Sequence, residues 1–376
     1  RSVPGFGLSL SGGVGAQTQA RVRGGEANHV LVLIDGTRAN VPASTDEFRW
    51  EHMSASNIDR VEIIRGSQSA LWGSDAISAV VNIITRRDVA ATSIDGLLET
   101  GSNDTLNLGL NGAFGSDNWN LSAGLESLDT DGTNHSRLGA EADGADLSSA
   151  ILDFRLNGEN DLSLDASLRL SDGSSQYDNT DFSTGLPFDT DHRTDSENLI
   201  ANVGVSLGSD EDQLSWSFDL DYFDSEHQNF VDQMPDTLNA SERKKLGAQA
   251  NIRLDENLLT VALEHEDTDF KQRGPIGFGD PNQDQDMQVM SAIAEFQYLA
   301  SERLTWIFGA RHDDNSDFDN VVTGRIALAY QLSDTTRLRS SIGTGQKTPT
   351  FTERFGFFPD DFLGNPDLKP GDINVI

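Results

Sequence analysis

From about residue 94 onward, apolar and polar residues alternate with a period of two. Leu162, Leu164, Ala166, Leu168 and Leu170 share one face; Asp161, Ser163, Asp165, Ser167 and Arg169 share the other. Leu214, Trp216, Phe218, Leu220 and Tyr222 alternate with Ser215, Ser217, Asp219 and Asp221, and Val322, Gly324, Ile326, Leu328 and Tyr330 with Thr323, Arg325, Ala327 and Ala329. Such runs exceed the roughly 5–6 residues of an ordinary globular strand. They match the roughly 10 that a tilted strand needs to cross a bilayer. The pattern predicts Leu164, Leu168, Trp216, Phe218, Leu220, Ile326 and Leu328 on an outer, lipid-facing surface. Asp165, Arg169, Asp219 and Arg325 are then in a wet lumen.

The connections fall into two classes. Short polar turns stand at 115–118, 158–161 and 255–257; longer polar segments stand at 129–145, 172–196, 228–241, 270–286 and 345–370. Short turns on one side and long loops on the other are the outer-membrane barrel pattern. Trp119, Trp216, Trp306, Tyr222 and Tyr298 suit aromatic girdles. A soluble sandwich also alternates, but strand length and the two loop classes favour the barrel. Roughly thirteen strands are readable before Ile376, with the start of another. A sheet of that size with open edges is intolerable in lipid, so the chain is expected to be part of a longer one.

Residues 1–88 read as a compact α/β unit. Val30–Ile34 is a continuous apolar run ended by Asp35-Gly36, as in a strand buried on both faces. Val61–Ile64 and Val80–Ile84 read alike, and Ser56–Asp59 suggests a short helical turn. Gly24, Gly36, Gly66 and Gly73 stand where the chain must turn sharply. The fold class is mainly β: a compact α/β unit followed by a large antiparallel barrel from 94 to 376.

The chain has no cysteine, which excludes disulfides and thiolate chemistry. Its net charge of −34 excludes nucleic acid as a partner and attracts cations. Mean hydropathy is −0.42, and no apolar run is long enough for a membrane-spanning helix. A leader peptide is not readable ahead of the Gly-rich opening. Nucleophile elbow, metalloprotease and phosphate-loop motifs are lacking, so an enzyme is not expected.

Five segments in order carry a resemblance: Arg21–Gly24, Asn28–Gly36, Ile58–Gly66, Ser67–Ala76 and Val80–Arg86. They closely resemble the plug domain of TonB-dependent outer-membrane receptors. Gly364–Pro370 resembles a segment late in their barrels. The resemblance implies uptake of a scarce nutrient across the bacterial outer membrane, driven by the TonB complex. It implies a barrel of about 22 strands, with eight or nine lying outside this chain, as does the segment that TonB contacts. Arg60, Glu62 and Arg65 are then expected to form ion pairs between plug and wall.

Asn28–Gly36 with Ser74–Ile77 looks most like the cobalamin-transporter branch, and Tyr177–Thr180 with Gly185–Thr190 resembles one of its loops. The ligand would be a corrinoid, with a ferric siderophore or haem as the alternative. His135, His192, His227 and His265 show no haem-ligand pairing. The branch implies a plug apex at Gly12, Gly13, Val14, Gly15, Ala16 and Gln17 and at Asn40, Val41, Ser44 and Thr45, small and polar enough for an amide-rich ligand. It also implies calcium, with Asp131, Asp143, Asp146 and Asp181 as candidate ligands.

Overall fold

The computed structural model describes residues 3–86, 92–136, 139, 141–181, 183–209, 211–276, 279–358 and 362–375. The amino-terminal unit holds a hairpin, β1 (Phe6–Leu10) with β2 (Thr18–Val22), and a four-stranded sheet. That sheet comprises β3 (Val30–Ile34), β4 (Thr37–Arg38), β5 (Ile58–Arg65) and β6 (Ala79–Thr85), in the order β4-β3-β6-β5. A short helix α1 (Ser69–Trp72) precedes β6. The apolar runs of β3 and β6 form its core: Val30, Val32, Ile34, Ala79, Val81 and Ile83 pack with Val22, Ala39 and Phe48.

Two readings of this unit are corrected. Val61–Ile64 belongs to an edge strand that pairs with β6 alone, and Val61 and Ile64 are each 47% exposed. An apolar run does not reveal whether its strand is central or at an edge. At Ser56–Asp59 the chain makes a turn and enters β5 at Ile58, without a helix. The glycine reading holds, with φ of +82°, +92°, +91° and +77° at Gly24, Gly36, Gly66 and Gly73. The expected boundary at 88 lies outside the described residues.

Among the described residues, fourteen antiparallel strands form one sheet, each paired with its sequence neighbours. They are β7 (Ser93–Thr100), β8 (Leu106–Ser116), β9 (Trp119–Thr133), β10 (Asp143–Asn157), β11 (Leu162–Asp181), β12 (Leu186–Leu207) and β13 (Leu214–Val231), followed by β14 (Met234–Leu254), β15 (Asn257–Arg273), β16 (Gln283–Ser301), β17 (Leu304–Asn315), β18 (Val321–Ser333), β19 (Thr336–Lys347) and β20 (Gly371–Val375). The sheet curves round the amino-terminal unit, which is hydrogen-bonded to strands from β9 to β19.

The facing follows the alternation. Val203, Leu220 and Leu246 lie opposite one another across β12, β13 and β14 and are 46%, 53% and 59% exposed. Trp216, Phe218 and Ile326 are exposed on the same outer face. Arg169 and Arg325 point inward and bond to the plug. Along β13 the outward apolar run from Trp216 to Tyr222 gives way to Asp224 and Glu226, so the apolar band is roughly 20 Å long. Trp119, Trp216, Tyr298 and Trp306 mark one end of that band, and Trp216–Phe218, Phe296–Tyr298 and Trp306–Phe308 stack along the strands. Tyr222 stands at the other end and donates to Glu242.

Two of the long polar segments, 172–196 and 228–241, are mostly strand. β11 and β12 run to Asp181 and from Leu186, and β13 and β14 are joined at Asp232-Gln233. Beyond the apolar band both faces of the sheet meet water, so the hydrophobic period disappears while the hydrogen-bonded ladder continues.

Candidate ligand-binding and plug-anchoring site

The mouth of the sheet lies on the side of the longer connections, at 134–142, 274–282 and 348–370. The plug loop Gly12–Gln17 rises against the outer ends of β10 and β11. Gly15 has φ +79°, and a Cβ there would stand 2.8 Å from that of Ala145 and 3.0 Å from that of Ser175. Backbone fits closely to the wall because glycine lacks that carbon. Gly15 and Ala16 are buried, Gly12, Gly13 and Gln17 half-buried, and Val14 is exposed to the mouth. Gln17 Nε2 donates to Glu47 at 3.4 Å.

The second apical loop is divided in use. Ser44 and Thr45 are half-buried at its tip; Ser44 Oγ accepts from Arg49, and Thr45 takes a left-handed φ of +53°. Asn40 is fully buried: Oδ1 accepts from Val32 N at 2.7 Å, and Nδ2 donates to Val30 O and Asp46 O. Its hydrogen-bonding capacity is spent on the plug backbone, so it offers a ligand nothing. Val41 is buried in a cluster with Ala43, Phe223, Phe270 and Phe351, the last from helix α2 (Phe351–Phe355). Asparagine pinning a turn and asparagine facing a ligand look alike in sequence.

Above the plug, the inward positions of β11–β14 carry Tyr177, His192, Thr194, Asn229, Thr237 and Asn239. Tyr177 meets His192 edge-on at 5.5 Å between ring centroids, and Thr194 Oγ1 donates to Asn229 Oδ1 at 2.8 Å. These six side chains offer hydroxyl, amide and imidazole groups and no charge.

The cations lie lower, between plug and wall, and are paired. Arg38 bridges Asp46 at 3.1 Å and Glu266 of β15 at 3.3 Å, and also Asp75; Lys347 of β19 joins Asp75 and Asp46. Burial acts to raise the Asp75 carboxyl, but Lys347 and Arg38 outweigh it and hold it below the usual carboxylate range. Arg243 donates to the carbonyls of Arg38 and Asn40, and Arg311 to that of Leu71. On the opposite wall, Arg169 holds Asp35 at 2.7 Å and Asp153 at 3.2 Å. Sequence reasoning missed these anchors, although Asp35 and Asp75 lie inside the segments that carry the resemblance. The expected anchors are different in kind. Arg60 pairs with Asp59 and Glu62 on the exposed face of β5, and Arg65 donates to Pro4 O.

The four candidate calcium ligands do not form one site. Asp131 and Asp146 line a shallow cleft with Asp129. Asp143 is buried and accepts from the His135 backbone N–H. Asp181 is turned to its own loop, accepting from Ser183 N at 2.7 Å and Ser183 Oγ at 2.6 Å. Among the described residues, no three His, Asp or Glu side chains converge as metal ligands. The acids that gather at the mouth are instead Glu141, Asp143, Asp178, Asp189 and Asp191. Burial, then Asp191 and its neighbours, raise the Glu141 carboxyl.

An antiparallel sheet with an apolar outer band, a polar lumen and an ion-paired plug defines a plugged barrel of the bacterial outer membrane. Residues 82–371 match the model of the TonB dependent receptor-like beta-barrel, and residues 1–80 that of the TonB-dependent receptor plug domain. The chain belongs to the TonB-dependent receptors, a family of the outer membrane. It is 28% identical over 98% of its length to the vitamin B12 transporter BtuB of Photobacterium profundum, and 25% identical to that of Vibrio vulnificus. It spans 58% and 59% of those proteins. In fold it is similar to the copper transporter OprC, with a TM-score of 0.78, 17% identity, and 99% of this chain and 64% of that one covered. The siderophore receptor PirA of Acinetobacter baumannii gives 0.77, 18%, 98% and 63%.

Proposed function

We propose that this protein takes up a corrinoid such as cobalamin across the outer membrane, without catalysis, with the TonB complex as its energy-transducing partner. One observation carries the choice of ligand. The inward positions above the plug, Tyr177, His192, Thr194, Asn229, Thr237 and Asn239, are uncharged hydrogen-bonding groups over a floor of glycine, serine and threonine. That surface suits a large ligand rich in amides. An anionic ferric siderophore calls for inward-facing Arg or Lys. Arg38 and Lys347 lie lower and are paired with carboxylates, while Arg243 and Arg311 reach plug carbonyls. The similarity to the vitamin B12 transporters supports the same ligand. The siderophore and copper relatives share the fold, which by itself does not select a ligand.

The test is equilibrium binding of cyanocobalamin and of a ferric catecholate to the receptor in outer-membrane vesicles. Saturable binding of the corrinoid is expected, weakened by Thr194→Val with Asn229→Leu by about 1–3 kcal/mol. Saturable binding of the ferric complex alone would overturn the reading. We also propose that calcium acts at the mouth as a diffuse counter-ion to Glu141, Asp143, Asp178, Asp189 and Asp191, which repel one another without converging as ligands. Calcium should then raise the melting temperature relative to chelator, and Asp189→Asn with Asp191→Asn should abolish the difference. Equal melting temperatures in the unsubstituted protein would remove calcium from the account.

A further inference from the structure

The outer face of the sheet changes character at one height. Along β9 to β14 the first outward carboxylates above the apolar band are Asp129, Asp146, Asp172, Glu197, Asp224 and Glu242, one on each strand. They face one another across the strands as Asp129 with Asp146, Asp172 with Glu197, and Asp224 with Glu242. In the register each pair stands two residues below the one before it, since Asp146 lies opposite Ser174 and Glu197 opposite Glu226. Strands tilted by about 40° need a shift of roughly one residue per strand to stay level. The six carboxylates therefore form a belt at a single height, on the side of the longer connections. That height is the edge of the hydrocarbon, where lipid headgroups begin.

Directly below the belt the lipid-facing surface is indented. An open groove of about 1300 Å³ runs across β8 to β12. Its bed is made of small outward residues, Ser127, Ser148 and Ala150, side by side on β9 and β10. Leu108, Leu110 and Leu125 form one rim, and Leu170 and Leu199 the other. Asp172, Glu197 and Asp224 stand at the upper end of the second rim. These three carboxylates are exposed and, among the described residues, take no ion pair or hydrogen bond. Cations of the same outer face are engaged elsewhere: Lys244 with Glu242, and Arg193 with Asp195 and over the Phe230 ring at 4.3 Å.

We propose that this groove binds a lipid of the outer leaflet whose headgroup carries ammonium groups. An acyl chain lies over Ser127, Ser148 and Ala150 between the leucine rims, and the headgroup meets Asp172, Glu197 and Asp224. The leucine rims continue the lipid-facing band, which selects an acyl chain over a water-soluble partner. The unpaired carboxylates select the headgroup. At the edge of the hydrocarbon an opposite charge is attracted more strongly than in bulk water, and a bare phosphate is repelled. The groove lies outside the sheet, so the proposal does not depend on which nutrient binds above the plug.

The test uses the full-length receptor in detergent micelles and two lipids with the same acyl chains, phosphatidylglycerol and its lysyl ester. Bound lipid is counted by native mass spectrometry. The lysyl lipid should bind about tenfold more tightly. Asp172→Asn, Glu197→Gln and Asp224→Asn together should bring the two lipids to within about twofold of each other. Ser148→Trp, which fills the bed from the lipid side without entering the lumen, should weaken the lysyl lipid about tenfold. Equal binding of the two lipids by the unsubstituted receptor, or tighter binding of phosphatidylglycerol, would overturn the headgroup assignment whatever the variants do. Unchanged lysyl-lipid binding by a Ser148→Trp receptor that keeps its melting temperature would overturn the groove. A phosphorylated glycolipid that binds more tightly than the lysyl lipid in calcium, and is lost in chelator, would show that the belt works through bridging cations and overturn the ammonium headgroup.

Discussion

At the scale of single residues, the chemistry of the plug depends on which charges are buried together. Asp75 is 1% exposed and receives both Arg38 and Lys347. Asp75→Asn leaves both cations in place with one carboxylate fewer, so it should cost the plug about 3–5 kcal/mol, read by urea unfolding. A loss under 1 kcal/mol would mean that Asp46 and Glu266 suffice. His52 works in the opposite sense. It stacks edge-on to His227 at 6.4 Å, and burial, with Arg49 adding, pushes its imidazole down to about 3. A histidine held neutral in the fold gains its proton more readily when unfolded. Its contribution is therefore full above about pH 6.5 and is lost progressively toward pH 3, at up to about 1.4 kcal/mol per pH unit. His52→Gln should flatten this acid limb in plug-unfolding measurements; an unchanged slope would show that other groups set it. Neither burial was readable from the sequence, because Lys347 reaches Asp75, and His227 reaches His52, only across the plug–wall contact.

At the scale of elements, the two-residue period assigns each strand an outer and an inner face, and the structure keeps that assignment through more than one strand pair. Leu220 lies between Val203 and Leu246 on the outer face, while Asp221, one position on, bonds to Thr37 of the plug. In the lipid-embedded receptor Leu220→Arg should cost about 2–4 kcal/mol, since that face has no partner for a charge. Ser217→Arg, facing the lumen, should cost far less. Equal costs would contradict the facing. The lengths of the strands were not legible. Polar stretches read as loops continue as ladder, because outside the apolar band a strand needs no hydrophobic face to keep its backbone hydrogen bonds. Plug strands show the converse: β3 and β5 both carry apolar runs, yet one is central and the other an edge.

At the scale of the whole molecule, the net charge of −34 is unevenly spread. Beyond the apolar band the outer face carries Asp172, Glu197, Asp224, Glu226, Glu242 and Asp269 on successive strands, with Lys244 among them. Like charges at this spacing repel within the roughly 10 Å screening length of 0.1 M salt. The melting temperature should accordingly rise as sodium chloride is raised from low concentration toward 0.1 M. A flat or falling response in that range would show that the carboxylates are neutralised by other means.

The sequence by itself determined the class of fold, the facing of the barrel strands, the plug and its turning glycines, and the approximate strand number. All of these rest on short-range regularities: a period of two, a left-handed backbone position, a run of apolar side chains. Only the tertiary structure decided which polar residues were free to act. Asn40 was readable as an apical amide and is consumed by the plug backbone. Arg60 was readable as an anchor and lies exposed, while Arg169, read only as lumenal, joins plug to wall. The candidate aspartates are parted for the same reason. A carboxylate's partners come from strands distant in sequence, and pairing register brings Asp143 toward Asp178 and Asp189 while turning Asp181 back on its own loop. Such convergence is a property of strands brought side by side in the sheet, and a linear pattern carries no record of it.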